Sequence, residues 1–174
     1  MRNEDIEKLR REIADNIPGF IGYDRVDDRG SSDKAFREYV AEQIQLVLDD
    51  LRRLVVFATQ TITQEKTLFI DQILYKADKI IRILRRDREI PIEFKESNIP
   101  SEYINKLIVN DHKIVKLTLK IKDLMKDLYN KGIIHPEVTI KLKMISEGLD
   151  VLLSKVNERL KIIRESISKA NENS

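Results

Sequence analysis

Apolar residues recur at intervals of three and four along most of the chain, which is the spacing of an amphipathic α-helix rather than of a strand. Five such segments are separated by short stretches, three of which contain proline or glycine, while the link after the second segment is rich in threonine. The pattern predicts helices over residues 4–16, 32 to 61–63, 66–87, 100–130 and 135–170. An all-α fold is therefore expected, with four long helices and a short one at the N-terminus.

Each of the four longer helices carries one apolar seam, and rods of this kind bury their seams by packing as a bundle. The second helix shows the pattern over its whole length, at Phe36, Val40, Ile44, Val47, Leu51, Leu54 and Ala58. We expect a single domain, with the bundle at 32–170, a loop at 18–31 and a tail at 171–174. The apolar stretch at 160–167 extends beyond matched helices and needs cover from the first helix or from a second subunit.

Short links predict that helices two and three, and likewise four and five, form antiparallel hairpins. Ser32 is the predicted N-cap of helix two, Gly132 the stop of helix four, and His135 the cap of helix five. The connector at 88–99 alternates apolar and polar residues. This pattern favours an extended crossover strap that leaves helices three and four parallel, and a local loop with plain up-down order is the alternative.

Composition removes many chemistries. The chain of 174 residues has no Cys, no Trp and two His, and neither His follows a glutamate by three residues, as di-iron helical sites require. No phosphate-binding glycine loop and no nucleophile motif occur. The missing motifs predict a non-enzymatic protein without a cofactor or metal. A cytoplasmic location is predicted because no segment resembles a membrane span or a signal peptide. Abundant Ile, Lys and Glu favour a thermophilic source, and an AT-rich coding sequence is the alternative explanation.

The loop at 18–31 is the first candidate for a functional site, because long loops on rigid scaffolds often carry recognition. In that hypothesis Phe20, Tyr23, Arg25 and Arg29 contact a protein partner. The alternative is structural, with Phe20, Ile21 and Tyr23 folded back as a lid over the end of the bundle. The nearby Asp24, Asp27 and Asp28 lack the ligand spacing of a calcium loop, so a salt-bridged turn is expected.

Charge supplies the second candidate, because the first 50 residues are acidic on balance and the remainder is basic. A ridge on helices three and four is a candidate anion-binding surface, formed by Lys79, Arg82, Arg86, Lys113, Lys116 and Lys120. Acidic residues interrupt it and aromatic residues are few, so a solvated face is the plainer interpretation. Asn110, at a seam position of helix four, is a candidate determinant of register or oligomeric state, and the alternative is that it faces a gap near the end of the bundle.

These observations favour a structural or protein-interaction module that associates with itself. The mean hydropathy of -0.38 is unremarkable for a folded domain. The alternative is electrostatic binding of nucleic acid through the basic ridge. A small-ligand or carboxylate-based site within the bundle is a third class, and a cavity lined by converging polar groups is the feature that would support it.

Overall fold

The protein is described from a computed structural model that covers residues 3–56, 62–86 and 91–172. Its helices are α1 (Asn3–Ala14), α2 (Val26–Val56), α3 (Gln64–Arg85), α4 (Ile92–Glu96), α5 (Ser101–Lys131) and α6 (Val138–Glu172). The described residues contain no strand, so the all-α prediction is confirmed. The structure adds one short helix, α4, that the apolar pattern does not predict. Ala58 and residues 61 and 87–90, which the sequence placed in helices or in the connector, lie outside the described residues.

The four long helices form a bundle in which α2 and α6 each pack against α3 and α5. The pairs α2/α6 and α3/α5 therefore lie diagonally. Arg37 of α2 donates to the Leu84 carbonyl near the end of α3, so these two helices are antiparallel. Asn110 of α5 donates to the Lys155 carbonyl of α6, far from the turn that joins the two helices, so that pair is antiparallel as well. Both predicted hairpins are present.

The prediction of a crossover strap is wrong. Lys122 of α5 contacts Gln43 of α2, and Asp111, which lies earlier in α5, is joined through Arg159 to Asp33, so α5 runs parallel to α2 and opposite to α3. The connector therefore joins two diagonal helices at one end of the bundle. Its second half coils into α4 instead of extending, because the buried ring of Phe94 packs at this end against Tyr23.

The predicted start of α2 at Ser32 is also wrong, since the helix begins at Val26. Gly30 does not break the helix: its bare backbone leaves room for the Lys95 side chain of α4, which a Cβ there would meet at 3.3 Å. The Ser32 hydroxyl instead accepts hydrogen bonds from the backbone N–H groups of Ile21 and Gly22. Ser32 thus fixes the preceding loop against α2 rather than capping the helix.

Other helix ends follow the local signals closely. Gly132 ends α5 with a φ of 74°, a left-handed value that favours glycine, as predicted. Thr63 caps α3 by accepting from the Lys66 backbone N–H. His135 accepts from the Glu137 backbone N–H through Nδ1, just before α6 begins at Val138.

The end of α6 is covered within the chain, by α4, while Ile6 of α1 lies beside Ile162. Ile163 is fully buried and Ile162 is 9% exposed. The predicted cover by α1 is limited to the pocket that Ile6 and Ile162 both line, and the larger helix contact comes from α4, which the sequence did not predict. The apolar stretch at 160–167 is nevertheless largely buried within the chain and does not require a second subunit. No described helix has an uninterrupted apolar segment long enough to cross a membrane.

Candidate functional site

A cluster of charged side chains is buried where α2, α5 and α6 meet. Arg159 of α6 donates from Nε to Asp111 Oδ1 at 2.9 Å and from Nη2 to Asp33 Oδ1 at 2.8 Å. The guanidinium also lies over the ring of Phe36, 4.7 Å from its centroid. Asp33 and Asp111 have no exposed surface and Arg159 has 1%. We call Tyr23, Asp33, Arg37, Asp111 and Arg159 the buried network.

The other two members complete its hydrogen bonding. The Tyr23 hydroxyl donates to Asp111 Oδ2 at 2.7 Å, and Arg37 Nε donates to Asp33 Oδ2 at 2.9 Å. Two carboxylates thus face two guanidinium groups, and the formal charges balance. Arg159 Nη1 is the one buried atom of the network without a partner in the described residues.

Burial shapes the ionisation of these groups. Loss of solvation raises the pKa of Asp111 to about 6, although Arg159 and the Tyr23 hydroxyl act in the opposite direction. Burial and the nearby Asp111 carboxylate raise the pKa of Tyr23 well above its ordinary value, so the phenol keeps its proton. Only Arg37 of the network retains more than 1% solvent exposure, at 8%, and the hydrogen bonds of Arg159 join α6 to both α2 and α5.

The residues predicted to form a docking loop do not share a surface. Phe20, Tyr23 and Arg29 are buried at one end of the bundle, and Arg25 is exposed. Arg29 donates to the backbone carbonyls of Tyr23, Phe94 and Ser97, which joins the loop, α2 and the connector. The arrangement matches the lid interpretation for Phe20 and Tyr23, whereas Ile21, the third residue predicted to fold back, is 60% exposed. The docking hypothesis retains Arg25 alone as an available contact.

The basic ridge is divided between two corners of the bundle. Lys79, Arg82 and Arg86 belong to α3 or its end, whereas Lys113, Lys116 and Lys120 belong to α5, and these helices lie diagonally. Lys116 is also paired with Glu12 of α1 at 3.4 Å, and Arg82 with Asp78 at 2.7 Å. The structure does not bring the six residues together. Nucleic-acid binding stays a prediction, in which the three basic residues at one corner would contact the phosphates without those at the other.

Asn110 faces the space between α5 and α6. Its Nδ2 donates to the Lys155 carbonyl at 3.0 Å, and its Oδ1 is buried without a partner among the described side chains and backbone groups. It thus contacts a neighbouring helix of its own chain. Beside it lies a pocket of about 400 Å³, which Ile6 of α1 closes on one side.

An exposed apolar strip follows α6 further toward its start. Ile140, Met144 and Val151 are 64%, 41% and 48% exposed, and their spacing places them on one helix face. We call these three residues the α6 stripe. Met144 and Val151 border a groove of about 240 Å³, whose opposite wall includes Leu117 and Leu124 of α5. Gly148 permits this close approach of the helices, since a Cβ there would meet Ile121 at 3.1 Å.

Sequence reasoning missed the buried network, although a signal for it exists. Asp33, Asp111 and Arg159 fall on the apolar faces of three different helices, three or four residues from Phe36, Leu107 and Val156. Charged residues of opposite sign at seam positions indicate buried pairing, since an unpaired buried charge is very unfavourable. Pairing across helices, however, depends on their arrangement in space.

The remaining candidates are accounted for by local contacts. His112 makes a 2.7 Å contact through Nε2 with Glu12 of α1. Of the predicted salt-bridged turn, only the Arg25–Asp28 pair is present, at 3.7 Å, and Asp28 already belongs to α2. Asp24 pairs instead with Arg10 of α1. In the part of the chain that is described, no three His, Asp or Glu side chains are grouped closely enough to hold a metal ion.

Comparison with known proteins adds no identity. The chain matches no protein-family model, no curated protein and no solved structure.

Proposed function

We propose that this protein is a non-enzymatic interaction module that pairs with a second copy of itself through the α6 stripe. The observation that supports the proposal is the line of three large apolar side chains, each more than two-fifths exposed, along one face of α6. Apolar surface concentrated in one strip, beside an apolar groove, is typical of an interaction surface, whereas isolated exposed apolar residues are ordinary.

The sequence of α6 favours an antiparallel partner of identical sequence. If two α6 helices cross with the two-fold axis between residues 145 and 146, Ile140 of each copy lies opposite Val151 of the other. The same arrangement brings Lys143 close to Glu147 of the second copy, in both directions. Within one copy these two side chains form an exposed i,i+4 ion pair at 3.9 Å, with 60% and 64% of their side-chain surface accessible, so the partner's charges would extend this pair across the interface. An isologous interface requires this kind of self-complementarity.

The size of the stripe limits the affinity. Residues 140–151 span about 17 Å of helix, which buries less surface than a standard interface. We therefore expect a dimer with a dissociation constant of about 10 μM or weaker. The monomer remains folded because its core is complete without the partner.

Sedimentation equilibrium from low micromolar to several hundred micromolar concentration tests the proposal. The wild-type chain should change from its monomer mass of 20.4 kDa toward twice that value. Met144→Glu combined with Val151→Glu should keep the chain monomeric, because burying carboxylates in an apolar contact is unfavourable. Leu46→Glu is the matched control, since Leu46 is 48% exposed on α2, which is diagonal to α6.

A charge-reversal series then tests the orientation. Lys143→Glu alone and Glu147→Lys alone should each weaken the dimer, and the double reversal should restore it. Circular dichroism checks that the variants keep their helix content. A wild-type chain that stays monomeric throughout, or a dimer that both stripe substitutions leave intact, contradicts the proposal.

A further inference from the structure

The pocket between α1, α5 and α6 has the form of a small-molecule site. It measures about 400 Å³, within the usual range for ligand pockets, and three helices contribute its walls. Ile6, Val109 and Ile162 supply an apolar lining, one residue from each of these helices. An apolar ligand body is therefore expected. The pocket uses residues that the α6 stripe does not, so the two proposals stand or fall separately.

Asn110 adds a specific polar requirement. The residue is 3% exposed, and its Nδ2 is already committed to the Lys155 carbonyl, which fixes the amide orientation. Its Oδ1 is buried with no donor among the described residues. A buried acceptor without a donor is unfavourable, so a ligand that supplies an N–H or O–H group to Asn110 Oδ1 makes a bond that no described residue makes.

Charge adds a second requirement. The two carboxylates that line the pocket already have cationic neighbours, Glu102 with Lys106 at 3.9 Å and Glu158 with Lys155. Lys113 also lines the pocket, and no described carboxylate lies within ion-pair distance of its ammonium group. The pocket therefore presents one uncompensated positive charge, which favours an anionic ligand.

We infer that this pocket binds a small monocarboxylate with an apolar body and one N–H or O–H donor. The carboxylate lies toward Lys113, the donor toward Asn110 Oδ1, and the apolar body against Ile6, Val109 and Ile162. Asn105, which also lines the pocket, offers a second carboxamide to the ligand. N-acetyl-leucine has all three features and serves as the probe, together with N-acetyl-phenylalanine and 2-hydroxy-4-methylpentanoate.

The test is a titration of the full chain, labelled at its Ile and Val methyl groups, followed by NMR. N-acetyl-leucine should shift the methyl signals of Ile6, Val109 and Ile162 at submillimolar to millimolar concentration. N-acetyl-leucinamide lacks the carboxylate and 4-methylpentanoate lacks the donor, so each should bind more weakly, the second by about tenfold. Equal binding of either analogue overturns the corresponding part of the assignment.

Two variants locate the contacts. Asn110→Leu removes the acceptor but keeps the volume, and it should weaken binding of N-acetyl-leucine by about tenfold. Lys113→Gln should weaken it by about threefold, as expected for an exposed charge. Lys126→Gln, at another exposed lysine of α5, is the control and should leave binding unchanged. Denaturation curves confirm that each variant is folded before its affinity is interpreted.

The proposal is overturned if none of the three carboxylates shifts the three methyl signals at several millimolar. It is equally overturned if binding survives both Asn110→Leu and Lys113→Gln at full strength, since the pocket would then not be the site.

Discussion

The two halves of the bundle are held together by different forces. The charged half comprises the start of α2, the end of α3, α4, the start of α5 and the end of α6, and it contains the buried network. The apolar half comprises the opposite ends of the long helices. Its interior is lined by aliphatic residues such as Ile44, Leu51, Ile73 and Leu142, all without exposed surface.

The difference between the halves separates the alignment of the helices from the stability of the fold. Apolar burial is non-directional, so the apolar half stabilises compactness without demanding one alignment of its helices. The buried network is directional, because the Arg159 guanidinium must meet carboxylates from α2 and α5 at fixed distances. We therefore expect the charged half to determine the helix register, and the apolar half to supply much of the free energy of unfolding.

The largest expected effect is the removal of one member of the buried network. Arg159→Met leaves the Asp111 carboxylate buried with no cation, and Asp33 with Arg37 alone. We expect the free energy of unfolding to fall by about 3–5 kcal/mol, measured by urea denaturation followed by circular dichroism. A loss below about 1 kcal/mol would mean that the network is not desolvated as the structure shows.

A double-mutant cycle sharpens this result. Asp111→Leu with Arg159→Met removes one charge of each sign and leaves the Asp33–Arg37 pair intact. The double variant should be more stable than the sum of the single losses by about 2 kcal/mol, because neither charge is left unpaired. Additive losses would show that the two side chains do not act as a pair.

The apolar half should respond to size rather than to polarity. Leu51→Ala should lower the free energy of unfolding by about 3–4 kcal/mol through lost burial and the cavity left behind. Leu51→Met, which conserves volume, should cost less than about 1.5 kcal/mol in the same urea experiment. Arg159→Lys is the counterpart in the charged half and should be less tolerated, because lysine lacks the planar fork. Equal tolerance of both conservative changes would remove the contrast between the halves.

Acidity offers a third comparison. Burial raises the pKa of Asp111 to about 6, above its ordinary value of 3.8, so the folded chain binds this proton more tightly than the unfolded chain. The stability contributed by that proton is complete below about pH 4 and is lost as pH rises through 6. The stability difference between wild type and Asp111→Asn should therefore shift against the wild type by at most about 3 kcal/mol from pH 4 to 7.

Leu51→Ala is the control for this pH series, because Leu51 lies in the apolar half and does not titrate. Its stability difference from wild type should be constant over the same range. A constant difference for Asp111→Asn as well would place Asp111 in a less desolvated environment than its burial indicates.

The sequence was informative where structure depends on local pattern. In the apolar half the three–four spacing predicts the seam through Val47, Leu51 and Leu54, and Gly132 ends α5 where a left-handed residue is needed. In the charged half, the local pattern predicts a helix start at Ser32 after a loop that includes Gly30, yet α2 begins at Val26 and continues through both residues. There Arg29, anchored by carbonyls of the loop and the connector, holds the first turns of α2, and no local signal reports such distant partners.

The candidate sites divide in the same way. Spacing along α6 places Ile140, Met144 and Val151 on one face, but their exposure depends on which neighbours cover the helix. The sequence identifies Asn110 as an unusual polar seam residue. The pocket beside it is formed by three helices, so it can be found only when the positions of α1 and α6 are known. Tyr23 lies in a loop that resembles a docking surface, and its contact with Asp111 joins residues 88 positions apart.

The smallest effect concerns α1, which covers part of the charged half through contacts that are mostly at the surface. The hydrogen bond from His112, followed by the nearby Lys116, lowers the pKa of Glu12 below its ordinary 4.5. This contact therefore adds stability above that pH, and the contribution is lost as pH falls. Glu12→Gln should increase hydrogen exchange in α1 at neutral pH, whereas amides of α2 around Asp33 should be unaffected.

Glu7→Gln is the control, because Glu7 pairs within α1 with Arg10. Faster exchange around Asp33 in the Glu12 variant would instead show that α1 helps to exclude water from the buried network. The charged half would then include α1 and its surface contacts.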